Sequence, residues 1–201
     1  MITAAQVGLD WRGVCSNGNF QYVFAVKSTA PGVGNIFRST DSAETWTQTT
    51  CTSAHWNSIT ASSSGQYVAS CSLAGANAVS SNYGVTWTSS TLSGLMDWVS
   101  VTSSQSGKYL ACAGLSNAGI YISSNYGFGT WSLSSAPLNS WAKIAMSSEG
   151  TFIYGAVVNG GIFKNSAFGG GTWKLIYSTE NWKSLAIDQT GTFLAGNTFF
   201  N

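Results

Sequence analysis

Tryptophan returns at positions 11, 56, 98, 141 and 182, at intervals of 45, 42, 43 and 41 residues, and each opens a similar phrase. The phrases read "WRGVCSNGNFQYVFA", "WNSITASSSGQYVAS", "WVSVTSSQSGKYLAC", "WAKIAMSSEGTFIYG" and "WKSLAIDQTGTFLAG". A spacing kept along the whole chain points to an array of similar units. Each phrase holds two short alternating runs around a polar turn, the pattern of a β-hairpin. A second series, Trp46, Trp87, Trp131 and Trp173, closes a second hairpin that begins with runs such as "GIYIS", Gly119 to Ser123. One repeat is therefore four strands, A to D in chain order, within 41 to 45 residues. A four-stranded unit at this period predicts a propeller blade.

The repeats, starting near Trp11, Trp56, Trp98, Trp141 and Trp182, predict an all-β chain: one domain over residues 1–201, a five-bladed propeller of antiparallel four-stranded blades. "ITA", Ile2 to Ala4, begins nine residues before Trp11, as Trp173 stands nine before Trp182. It falls where a strand D belongs. The last phrase supplies strands A and B and, at its end, a short candidate C, so the N-terminal strand is expected to join the C-terminal blade and close the ring. Closure would cover apolar faces that an open array leaves bare. The alternatives are a piece of a larger propeller and a partial ring completed by a second copy.

Charge is scarce: 7% of residues are Asp, Glu, Lys or Arg, against 44% apolar, and the formal net charge is +1. With no basic cluster, neither nucleic acid nor an anionic membrane surface is an expected partner. No apolar run is long enough to insert in a membrane, and "MITAAQVGLD" lacks the pattern of a signal peptide. Low charge favours an extracellular or surface setting. Cys15, Cys51, Cys71 and Cys112 show no metal-ligand spacing. They read as small buried apolar residues, with two disulfides as the alternative. No metal or cofactor is expected.

The string "SSNYGVTW" carries Ser80, Asn82, Gly84, Thr86 and Trp87; "SSNYGFGTW" carries Ser123, Asn125, Gly127, Thr130 and Trp131. "STDSAETW" keeps Ser39, Asp41, Thr45 and Trp46 but has Ala43 in the glycine place. "NSAFGGGTW" keeps Gly169, Thr172 and Trp173 but has Ala167 where the carboxylate or amide belongs. The pattern resembles the Asp-box, or bacterial neuraminidase repeat, of sialidases and other propellers. The residue types suit a turn: Asp or Asn folds back onto backbone N–H groups two residues ahead, Gly takes a positive φ, and Thr-Trp resumes a strand. A catalytic acid could not be exchanged for Asn so freely.

The resemblance makes sialidase the natural enzyme to test. Sialidases bind the substrate carboxylate with three arginines, and this chain has Arg12 and Arg38 alone. A glycosidase needs two facing carboxyl groups. Asp41 and Glu44 belong to a turn, and Glu149 and Asp188 to A–B turns, which leaves Asp10, Asp97 and Glu180 at the D–A connections. His55 is the only histidine, so no His-based triad or multi-histidine metal centre can form. A noncatalytic protein is expected.

In propellers the D–A and B–C loops share the face on which ligand sites gather. Before the five strand A tryptophans stand Asp10, His55, Asp97, Ser140 and Asn181. With Trp11, Trp56, Trp98, Trp141 and Trp182 beside them, they form the candidate ligand site: a ring covers the apolar side of a pyranose while polar groups pair with its hydroxyls. Equally, a tryptophan recurring once per blade can be a wedge between sheets. Two functional classes follow. One is a carbohydrate-binding module resembling the tachylectin-like five-bladed propellers. The other is a protein-interaction or structural propeller of a surface, virion or assembly scaffold. The partner is a glycan or a protein, and the chain a monomer or small homo-oligomer.

Overall fold

A computed structural model describes residues 10–28, 33–73, 75–92 and 96–198, among which there is no helix. The first sheet orders β1 (Trp11–Ser16), β2 (Val23–Lys27), β3 (Ile36–Ser39) and β4 (Thr47–Gln48) side by side. The second has β5 (His55–Ala61), β6 (Val68–Leu73), β7 (Asn77–Ser80) and β8 (Thr88–Ser89). The third has β9 (Trp98–Ser103), β10 (Leu110–Gly114), β11 (Ile120–Ser123) and β12 (Ser132–Leu133). The fourth has β13 (Trp141–Met146), β14 (Ile153–Val157), β15 (Gly160–Asn165) and β16 (Lys174–Glu180). A fifth sheet is the pair β17 (Trp182–Ile187) and β18 (Leu194–Thr198). All described pairings are antiparallel. The predicted A to D order thus holds in four repeats.

Strand A of each sheet packs on strand A of the next, β1 on β5, then β9, β13 and β17, so the sheets fan out around these inner strands. The second strands, such as "LACAG" and "IYGAV", are buried along their whole length because a neighbouring sheet covers each face. Their Ala, Cys, Ser and Gly residues let the sheets approach, while Ile, Leu and Trp fill the wider spaces. Three of the outer strands are two residues long and exposed, a length that offers little edge for unwanted pairing. Trp46, Trp87 and Trp131 stand one residue before these strands and Trp173 one before β16, not inside strand D as the sequence suggests.

The A–B turns join hands below the sheets. Gly18 N donates to Ser63 O at 2.8 Å, Ser63 N to Gln105 O at 2.8 Å, Gln105 N to Ser148 O at 2.8 Å, and Ser148 N to Gln189 O at 2.9 Å. The series stops there, and the described residues give β17 and β1 no packing comparable to that of the other inner strands. Both ends of the fan are exposed, with Val14 on β1 and Phe193 before β18 largely in solvent. The expected closing strand, Ile2 to Ala4, lies outside the described residues. β18 runs to Thr198, so the candidate strand C lies beyond them as well.

Candidate functional site

The five predicted polar residues do fall at the same end of the five inner strands. There Asp10 O accepts from Ser28 N at 3.0 Å, Asp97 O from Leu115 N at 2.9 Å, and Ser140 O from Val158 N at 2.8 Å, which ties each D–A connection to the B–C loop of its own sheet. His55 opens β5 opposite Leu73. Each strand A then bulges after its tryptophan, a device that re-aims the following side chain. The polar residues stand one per sheet and do not converge: β5 separates Asp10 from Asp97, and Asp10 makes an exposed ion pair with Arg12 at 2.5 Å. Asp10 and Asp97 are thus not neighbours across a shared cleft, as a glycosidase pair would be.

Burial decides between the two roles open to the tryptophans. Trp56, Trp98 and Trp141 are 2%, 0% and 0% exposed. Trp56 packs among Phe24, Val26 and Ile36 of the preceding sheet, Trp98 against Ala69 and Cys71, and Trp141 against Ala111, Ala113 and Ile120. These three take the wedge role between sheets, because neither ring face meets solvent. Trp11, 39% exposed, and the half-buried Trp182 keep open faces at the two ends of the fan.

The wedge position has one polar exception. In the sheet before each wedge, the strand C residue opposite Val26, Cys71, Ala113 and Ala156 of strand B is Ile36, Asn77, Ile120 and Ile162 in turn. With its amide turned to face the ring, the Asn77 oxygen accepts from Trp98 Nε1 at 3.1 Å. Trp56, Trp141 and Trp182, facing isoleucines, have indole N–H groups without a partner among the described residues.

On the same face, between the second sheet and the connection from β4 to β5, lies a cleft of about 150 Å³. Residues 50–54, 76–78 and 87–89 line it, with Trp56 and Trp87 among hydroxyls such as Thr50, Ser53, Thr88 and Ser89 and the Asn77 amide. Among the described residues no charged side chain lines it. Apart from its two tryptophans, sequence reasoning missed this site, because its other residues come from loops and from strands C and D and keep no period.

The repeated turn sits on the opposite face. Ser39 Oγ accepts from Ala43 N at 2.9 Å, while Asp41 Oδ1 accepts from Ser39 Oγ at 2.8 Å and from Thr45 N at 2.9 Å. Ser80 and Asn82 repeat the scheme, with Thr86 N donating to Asn82 Oδ1 at 2.9 Å. The side chain thus folds back four residues ahead, not two. In the fourth sheet Asn165 replaces the pair and accepts from Ala167 N at 2.9 Å and Gly169 N at 2.6 Å, which is why Ala167 can stand in the amide place. Hydrogen bonds from Thr45 and Ser39 hold the Asp41 carboxyl at about 2.

The residue after the Asn or Ala of the amide place reaches the preceding sheet. Tyr83 packs on Tyr22, Tyr126 on Tyr67 and Phe168 on Tyr109, with ring centroids 4.9, 4.1 and 4.7 Å apart. An aromatic just before each strand B, and one in the turns of the second, third and fourth sheets, was the legible signal for this ladder.

By sequence, the chain matches no family model and no curated protein. By structure it is similar to a chain in the crystal structure of a nidogen/laminin complex, with a TM-score of 0.74 and 10% identity over 94% of this chain and 72% of that one. It is also similar to the GH74 enzyme of Niastella koreensis, with a TM-score of 0.68 and 16% identity over 90% of this chain and 32% of that one. Both are β-propellers, one from a protein complex and one an enzyme. At such identities the likeness defines a fold class and carries no activity across. The chain has a β-propeller fold, and its four-stranded sheets are blades.

Proposed function

We propose that this chain is a noncatalytic binding propeller that takes a glycan on its D–A and B–C loop face. The carrying observation is the uncharged cleft between the second blade and the connection that leads into it, where the half-buried Trp87 stands among hydroxyls and an amide, the chemistry that meets sugar rings and their OH groups. Asp10, His55, Asp97, Ser140 and Asn181 form the polar rim of that face. In this reading residues 1–201 are one five-bladed domain closed by Ile2 to Ala4, and the C–D turns are Asp-boxes that set the blades. A glycan array probed with the purified chain tests the function. Binding that Thr88→Ala and Ser89→Ala weaken at least fivefold supports it, and no sugar bound above background overturns it.

A protein partner is the second reading, favoured by the open end of the fan, where Trp11 and Val14 are exposed on β1. Sedimentation separates the two. A stable species of twice 21.1 kDa that Val14→Asp dissolves would make the end blade an interface and a second copy its partner. A monomer leaves the glycan face as the binding surface.

A further inference from the structure

Cys71 and Cys112 sit on the second strands of adjacent blades, one register step apart. Cys71 lies opposite Ser58 and Asn77, in the place that Val26, Ala113 and Ala156 take in the other blades. Cys112 lies opposite Val101 and Tyr121, in the place of Ala25, Ser70 and Gly155. Because side chains alternate across a strand, that single step turns the two thiols toward each other. Cys71 faces the third blade beside Ala69, and Cys112 faces the second beside Leu110, within one buried cluster. Each is 1% exposed, and Cys71 stands close enough to Cys112 to push its thiol up further than burial does by itself. Cys15 and Cys51 belong to the cluster between the first and second blades, where burial alone pushes their thiols up.

We propose that Cys71 and Cys112 are a disulfide-forming pair that locks the second blade to the third when the chain folds in an oxidising compartment. The oxidant is a small disulfide such as oxidised glutathione. The Cys71 thiolate attacks one of its sulfurs and releases a glutathione thiolate. The Cys112 thiolate then attacks the Cys71 sulfur of the mixed disulfide and releases the second. Two protein thiols and one glutathione disulfide thus become one protein disulfide and two glutathione thiols. The step belongs to folding, because in the closed core both thiols are sealed from reagents and burial keeps Cys112 protonated. The bond bridges two sheets joined in sequence by the connection from β8 to β9, so it restrains the unfolded chain as well as the interface.

The test is refolding of the reduced, denatured chain in a glutathione redox buffer, followed by acid quench, alkylation and peptide mapping. The expected product keeps two of its four thiols, yields one peptide pair joined through Cys71 and Cys112, and melts at a higher temperature than the same chain after reduction. Cys71→Ala and Cys112→Ser install residues that neighbouring blades carry at those places, so both variants fold, and each abolishes the cross-link and the reduction-dependent shift. Four thiols surviving oxidative refolding, a pairing through Cys15 or Cys51, or a cross-linked product without cooperative melting would each overturn the assignment.

Discussion

Tyr126 stacks on Tyr67 with ring centroids 4.1 Å apart and planes 25° from parallel, across the boundary between the second and third blades. The same boundary brings Gly107 of the third blade so close that a Cβ there would sit 2.8 Å from the Tyr67 Cβ. Tyr67 is thus held between an A–B turn and a C–D turn of its neighbour. Gly150 and Phe168 hold Tyr109 in the same way, as Gly65 and Tyr83 hold Tyr22. The repeated turn is therefore a joint between blades as well as a reversal within one.

Removing one ring from this joint should loosen one boundary. Tyr126→Ala is expected to lower stability by about 2 kcal/mol, and Tyr126→Phe by well under half of that, because the contact is made by the ring. A double-mutant cycle with Tyr67→Ala in urea denaturation should return a coupling of about 1 kcal/mol. Additive losses would show that the rings do not act as a pair.

The glycine of the turn answers to the blade in front of it. At Gly84, φ is +73° and an added Cβ would meet the Phe24 ring at 2.9 Å, so Gly84→Ala is expected to cost about 2 kcal/mol or more. The matching residue of the first blade, Ala43, holds φ at 70°, and no blade packs in front of it among the described residues. Ala43→Gly should relieve that strain and raise stability by about 0.5 kcal/mol, the gain being offset in part by the freer unfolded chain. Thermal melting of the two variants, with shifts of opposite sign, checks both statements.

The blade grammar was legible because a period of about forty residues survives every local departure, and in four repeats each predicted strand exists. The burial of Trp56, Trp98 and Trp141 was not legible. A tryptophan at the start of a strand reads alike whether a blade covers it or a ligand does, and only the neighbouring Phe24, Ala69 and Ile120 decide. Asn165 shows a different failure. It does the work of a Ser and an Asp two residues apart, so a pattern search that demands an acid or amide at Ala167 finds a defect where the turn is intact. The cleft escaped because Ser53, Asn77 and Ser89 meet in space from three segments with no common spacing.

Acid should open the turns that use a carboxylate. Asp41 and Asp188 are both held at about 2 against an ordinary 3.8, Asp41 by Thr45 first and Asp188 by Thr190 first. A depressed folded value means that the stabilisation is complete above the unfolded value near 3.8 and is lost as pH falls toward 2. Urea midpoints measured across that interval should fall for the wild type. Asp41→Asn copies the residue of the second and third blades, and with Asp188→Asn it should flatten the acid limb while changing little at neutral pH. A limb as steep in the double variant would locate the acid sensitivity elsewhere.

Asn77 offers a test of what a polar residue contributes to an interface that three other blade boundaries build with isoleucine. Asn77→Ile removes the hydrogen bond from Trp98 Nε1, worth about 1 kcal/mol net, and adds apolar burial at a site 7% exposed. The two terms oppose, so stability is expected to change by less than about 1 kcal/mol, with Trp98 left as Trp56 and Trp141 already are. Asn77→Asp keeps the shape but buries a charge with one N–H donor to meet it, and should cost about 3 kcal/mol at neutral pH. Its carboxyl will titrate above the unfolded value, so the loss should disappear as pH falls below that value and grow as pH rises through the folded one. Guanidine unfolding of both variants at neutral and mildly acid pH measures this directly. A large loss in Asn77→Ile would mean that Trp98 depends on its partner in a way the other wedges do not.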